Sequence, residues 1–239
     1  MPAPAVIAEF TPTGRLRAAI NFGNPVLAGR TPTGEPCGIS VDLARELARR
    51  LGAEIELVPY DSAAKVPAAL KSKAWDVCFL AIDPLRAADI AFTDPYAIIE
   101  GTYLVATDSS MQRNEDVDRA GTRVGVITGS AYDLYLTREL EHATLIREAS
   151  AEAVLNLWVA GMLDAVAGVK PQLEADARRI GGLRMLPGRF MSINQAMGTP
   201  RERAGAAAYL REFVDEAKRS GFIAQAFARN RITGASMAP

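Results

Sequence analysis

Histidine is almost missing from this 239-residue sequence: His142 is the only one. A zinc site built from several histidines is therefore excluded within the chain, and a histidine-dependent triad would have to use that residue. Cysteine is scarce as well. Cys37 and Cys78 lie far apart without CxxC neighbours, which removes zinc-ribbon and thioredoxin motifs. The pair leaves the compartment open, because a periplasmic protein can lack disulfides and a cytosolic one can keep two free thiols. No apolar run approaches the roughly 18–20 residues needed to cross a bilayer. Charge of one sign is missing too: 27 Lys+Arg against 28 Asp+Glu leaves −1, without the basic excess of a nucleic-acid binder. No basic residue precedes the short apolar stretch in MPAPAVIAEFTPTGR, and Glu9 interrupts it, so this segment is not read as a secretory signal. Either the chain is a mature form with a starting Met, or the protein stays in the cytoplasm.

What is present is an ordinary soluble composition, 49% apolar and 23% charged, at a length that gives one or two domains. Strand and helix patterns alternate. Leu16–Ile20 reads as a strand, followed by a Gly/Pro-rich loop from Gly23 to Pro36. Ser40 is the expected N-cap of a helix whose apolar face (Leu43, Ala44, Leu47, Ala48, Leu51) ends at Gly52. A strand follows at Glu54–Val58, then a helix around Ala64–Lys71. The apolar run Val77–Ile82 suits a buried parallel strand, and Asp83-Pro84 breaks it to start a short helix through Ala88. In the second half, Arg123–Ile127 and Ala165–Gly168 read as strands. Helices are expected at Tyr132–Leu140, from Ser150 to Ala160, at Pro200–Arg219 and at Phe222–Arg229. The alternation predicts an α/β fold with mainly parallel sheets. No internal repeat is visible.

Three segments carry a combined pattern: GISVDLARELARRLGAEIELVPYD (Gly38–Asp61), AALKSKAWDV (Ala68–Val77) and DPLRAADIAFTDPY (Asp83–Tyr96). With RVGVITGSAYDLYL (Arg123–Leu136) and LWVAGMLDAVAG (Leu157–Gly168), in that order, the sequence resembles the family 3 extracellular solute-binding proteins, the polar amino-acid-binding components of ABC importers. The resemblance runs from Leu16 to Arg229. It implies a two-lobed periplasmic-binding-protein type II fold, with lobe 1 at residues 1–103 and 195–239 and lobe 2 at 104–194. Ligand would be held between the lobes, which would close on it by hinge motion. It also implies a periplasmic location and an ABC transporter permease as partner. A monomer is expected, with no nucleic acid partner, no metal, no cofactor and no catalytic residue.

Arg86 is the first candidate for ligand binding. It stands at the carboxyl end of an expected buried strand, where open α/β sheets place ligands, and its planar fork suits a carboxylate. In the similar proteins this arginine holds the ligand's α-carboxylate. The competing reading is a surface pair with Asp89 or Asp83. Gly129-Ser130 comes next: a strand ending in Gly-Ser and opening a helix exposes N–H groups at its positive end. Ser130 to Asp133 also fits S-x-x-D, so plain capping competes, and both can hold. Asn21, Phe22 and Asn24 follow the first strand, where the amides could bind a polar ligand and Phe22 cover it. Equally, both asparagines could serve the loop backbone. Glu100 and Gln195, near the expected crossings, complete the set with Ala81. Tyr96, Trp75 and Trp158 read as core residues, and His142 as a surface turn.

Two departures from the family pattern matter. Amino-acid binders carry an acidic residue shortly after the D-A-V segment to receive the ligand ammonium, whereas Leu163-Asp164-Ala165-Val166-Ala167-Gly168 ends in glycine. Upstream of Arg86, where Ser or Thr often lines the site, stand Phe79, Leu80 and Ala81. Burying an ammonium without a counter-charge is costly. The expected ligand is thus a carboxylate with an apolar or hydroxylated body, unless Glu100 replaces the missing acid. An alternative is an enzyme similar to cyclohexadienyl dehydratases, acting on a carboxylated ring substrate with Glu100 as a general acid of raised pKa. A third reading is a cytoplasmic binding module without a transporter.

Overall fold

A computed structural model describes residues 2–239. The chain forms two compact units, one running to Ile98 and resuming at Asn194, the other covering Ile99–Ile193. The first unit opens with α1 (Pro4–Phe10), β1 (Leu16–Asn21), the short strands β2 (Gly29–Arg30) and β3 (Pro36–Cys37), and α2 (Ile39–Leu51). It continues through β4 (Ile55–Tyr60), α3 (Lys65–Ala68), β5 (Val77–Ala81), α4 (Pro84–Ala87) and β6 (Ile90–Phe92). The boundary falls within β7 (Ala97–Ala106). The second unit holds β8 (Arg123–Ile127), α5 (Ala131–Glu139), β9 (Thr144–Glu148), α6 (Ala151–Val159), β10 (Ala165–Val169), α7 (Lys170–Ile180) and β11 (Leu183–Met185). Within β12 (Met191–Pro200) the chain returns to the first unit, which ends with α8 (Ala204–Arg219), α9 (Phe222–Arg229) and β13 (Ala235–Met237).

In the first unit β1 lies parallel to both β4 and β5, and β12 runs antiparallel to β5 with Gln195 opposite Ala81. All five β5 residues are buried, as a continuous apolar strand inside a covered sheet requires. Trp75 packs with Ala19, Val66, Leu80 and Ile90, and its indole N–H donates to the Val66 carbonyl at 2.8 Å, so it is a core residue as expected. The second unit repeats the logic. β8 lies parallel between β9 and β10, and β7 runs antiparallel to β10. Leu104, Val154, Leu163, Val166 and Leu173 form its core, with Trp158 packed against them.

Although no sequence repeat is visible, both units use one clamp. Arg17 at the start of β1 donates its main-chain N–H, Nε and Nη2 to Asp76, just before β5, at 3.0, 2.9 and 2.8 Å. Arg123 at the start of β8 does the same to Asp164, just before β10, at 2.8, 2.9 and 3.1 Å. In each case the aspartate N–H returns a bond to the arginine carbonyl.

Several boundaries differ from expectation. Ser40 is not the N-cap of α2. Gly38 is, at φ 111°, a position where any Cβ would meet the Leu27 carbonyl oxygen at 2.4 Å. Ser40 instead lies buried in the first turn, its Oγ 3.3 Å from the Tyr96 hydroxyl. The helix expected to reach Lys71 stops at Ala68; Pro67 is tolerated only in a first turn, and the chain leaves through turns to Lys73 at φ 52°. Pro200 belongs to β12, so α8 starts at Ala204. The two expected crossings are β7 and β12, while α1, β2, β3, β6, β9, α7, β11 and β13 were not among the expected elements.

Candidate functional site

Because β1 and β5 are parallel, their carboxyl ends share an edge, and the antiparallel β12 brings Gln195 to the same place. Asn21, Phe22, Ala81, Arg86 and Gln195 therefore gather at one edge of the first unit. Asp83 caps α4 by accepting the Leu85 N–H at 2.9 Å, which turns Arg86 back toward the strand end. Arg86 is not a surface residue: it is only 5% exposed and donates Nη1 to the Ala81 carbonyl at 2.9 Å. Burial pushes its pKa down while the Asp83 carboxylate opposes this, and a guanidinium in that setting stays charged.

The side-chain oxygens of both asparagines bond their own loop. Asn21 Oδ1 accepts the Gly23 N–H at 3.0 Å, and Asn24 Oδ1 accepts the Val26 N–H at 3.3 Å. Phe22 follows β1 with its N–H donating to the Tyr60 carbonyl, and the Arg30 guanidinium lies over its ring at 4.6 Å. Gln195 is buried, with its carbonyl accepting the Tyr96 N–H.

In the second unit the carboxyl ends of β8 and β10 likewise share an edge. Gly129, at φ 66°, turns the chain from β8 into α5. Its N–H donates to Asp133 Oδ2 at 2.7 Å, the Ser130 N–H donates to the Ile127 carbonyl, and Ser130 Oγ accepts the Asp133 N–H at 3.1 Å. The capping geometry is thus present. The donors that remain to an anion here are the first-turn N–H groups of Ala131 and Tyr132, which have no carbonyl four residues back within α5. Asp133, buried under the turn, is neutralised by Arg147 at 2.9 Å.

At the end of β10, Gly168 faces Thr102 of β7 and Val169 faces Gly101, which sets Glu100 and Lys170 at the same edge. Lys170 Nζ donates to Glu100 Oε2 and Arg189 Nη1 to Glu100 Oε1, both at 3.0 Å. The hydrogen bond from Lys170, then that from Arg189, holds the Glu100 carboxyl below its usual range. This corrects the reading of Glu100 as an acid of raised pKa, since two cations stabilise its ionised form. A side chain at Gly168 would start 3.0 Å from Leu173, which fills that space. Arg30, Lys170 and Arg189 were not foreseen; only the Lys170-Pro171 helix start after a strand carried any sequence signal. Among the described residues no group of three or more His, Cys, Asp or Glu could hold a metal, and no helix is long and apolar enough to cross a membrane.

Two α/β units, each gathering polar groups at the carboxyl ends of parallel strands, form the fold of the type II periplasmic binding proteins, to which the structural neighbours belong. The chain belongs to the bacterial extracellular solute-binding proteins, family 3, whose pattern matches residues 16–230. It is similar to an L-arginine-binding protein of Pseudomonas aeruginosa, 28% identical over 66% of this chain and 62% of that protein. The chain spans less than two thirds of the length of the curated relatives it matches. A mutant of ArgBP from T. maritima shares the fold with TM-score 0.78 and 24% identity, over 94% of this chain and 98% of that one. An ancestral amino acid-binding protein, a precursor of cyclohexadienyl dehydratase, shares it at TM-score 0.76 and 20% identity, over 93% and 98%.

Proposed function

We propose that this protein binds a small carboxylate-bearing solute without turning it over, and passes it to an ABC-type permease outside the cytoplasmic membrane while acting as a monomer. The observation that carries this reading is Arg86, a buried guanidinium at the carboxyl edge of β1 and β5, anchored by the Ala81 carbonyl. Its fork receives the carboxylate. The first turn of α5, headed by Gly129-Ser130, supplies further N–H donors to the ligand, and Phe22, Asn21, Asn24 and Gln195 shape the pocket around it. The P. aeruginosa relative's ligand, arginine, carries a carboxylate, which agrees with this role for Arg86. The paired, ionised state of Glu100 speaks against elimination chemistry that needs it as a proton donor.

Isothermal titration with amino acids and organic acids tests the reading. Hydrogen bonds to charged groups contribute about 1.5–3 kcal/mol, so Arg86→Lys, which keeps the charge but loses the fork, lowers affinity by roughly 10- to 100-fold. Carboxylate binding unaffected by Arg86→Lys in a folded protein would sink the proposal.

A further inference from the structure

We propose that the group this protein's second unit receives from its ligand is anionic, so that the ligand is a small dicarboxylate and not a cationic amino acid. This rests on the carboxylate-binding reading above and deepens it. At the carboxyl edge of β8 and β10, Lys170 and Arg189 share a single carboxylate, Glu100. The local sum is one net positive charge. Lys170 and Arg189 side chains are 37% and 55% exposed, open to a solute. An ammonium has three donors and a guanidinium five, so each cation retains donors beyond the one spent on Glu100. Of the nearby carboxylates, Asp133 is matched by Arg147, Glu148 stands at the end of β9, two strands from β10, and Glu174 lies one turn beyond Lys170 on α7.

Gly168 reinforces this. The strand end that faces Lys170's helix start carries no acid, and Leu173 already occupies the room a side chain would need. A cationic ligand group brought to this edge meets Lys170 and Arg189 with no carboxylate of its own to pair with, since Glu100 is taken. A carboxylate there gains charge-assisted hydrogen bonds from both.

The first unit agrees independently. Phe22 is the ring that could stack on a ligand cation, but Arg30 already lies over it at 4.6 Å and is tied to the Gly34 carbonyl at 2.9 Å. One face of the ring thus has its cation supplied by the chain itself.

The test is isothermal titration of the full chain with malonate, succinate, glutarate and adipate, with propionate and butyrate as monocarboxylate partners, and with arginine and histidine. One dicarboxylate is expected to bind about tenfold or more tighter than the monocarboxylate of similar length. In Lys170→Met and Arg189→Met, checked as folded by circular dichroism, that ratio falls toward one. Equal affinities for mono- and dicarboxylates, or arginine or histidine bound by the parent protein as tightly as the best dicarboxylate, overturns the dicarboxylate inference and leaves the Arg86 reading standing. Loss of all carboxylate binding, or binding indifferent to Arg86→Lys, overturns both.

Discussion

The two arginine–aspartate clamps have nearly the same geometry but different burial, which separates the effect of contact from that of environment. The Asp76 carboxylate is fully buried and accepts from Arg17 three times and from Arg203 Nη1 at 2.8 Å. The arginine side chains are 15% and 13% exposed. In the second unit Asp164 and Arg123 are 36% and 41% exposed. Asp→Asn keeps one oxygen for the main-chain N–H, removes the charge and replaces the other acceptor with an NH2 donor that faces guanidinium N–H groups. In Asp76→Asn two nearly buried guanidinium groups lose their counter-ion, a loss of about 3–5 kcal/mol. At roughly 2–4 °C per kcal/mol for a chain of this size, Tm falls by about 6–20 °C. Water screens the Asp164 pair, so Asp164→Asn moves Tm by less than about a third as much. Thermal and urea unfolding followed by far-UV circular dichroism read both. Equal shifts in the two variants would show that burial does not set the cost, and the reasoning would fail.

Glu46 carries the acid-sensitive part of α2: hydrogen bonding from Arg49, then Arg50, pulls its carboxyl from 4.5 to about 2. Its folded pKa is depressed, so its stabilisation is present above about 4.5 and is lost as pH falls through about 2. The stability gap between the parent and Glu46→Gln should therefore shrink from pH 4.5 downward, and a gap that widens on acidification would contradict this assignment. Cys78 is buried and its thiol pushed well up by desolvation, whereas Cys37 is partly exposed. Ellman's reagent at pH 8 should titrate one thiol in the native protein and the second only on unfolding; two fast thiols would refute it.

The main elements were legible because their signals are local. A five-residue apolar run becomes β5, a four-residue spacing of leucines makes the buried face of α2, and Gly52 closes that helix in the left-handed region at φ 64°. Aspartate before Pro84 caps α4, and serine at 130 and 150 caps α5 and α6. The strands that cross a unit boundary were less legible. β7 mixes Glu100, Gly101 and Thr102 into an apolar segment, and its pairing with β10 lies some sixty residues away. Ser40 misled because serine favours caps, while the true constraint is the close approach of Gly38 to Leu27. Arg86 could be placed at a strand end from sequence, but its depth of burial could not, because that depends on how Asp83 turns α4.

The electrostatic character of the candidate site lies further still from local pattern. A missing acid at position 168 is visible in one dimension, and it suggests Glu100 as the substitute. Whether Glu100 is available depends on partners 70 and 89 residues away in sequence. The antiparallel register of β7 with β10 sets Gly101 opposite Val169, and this single alignment places Glu100 beside Lys170. A one-residue slip would turn those side chains to the other face and release the carboxylate. The ligand's preferred charge at this edge is therefore fixed by strand register and not by any motif. By this argument a relative with the same motifs and an acid at the position of 168 or 170 would present the opposite sign to a solute. Restoring an acid, as in Lys170→Glu, should exchange preference for a carboxylate for preference for an ammonium while Arg86 continues to hold the other end.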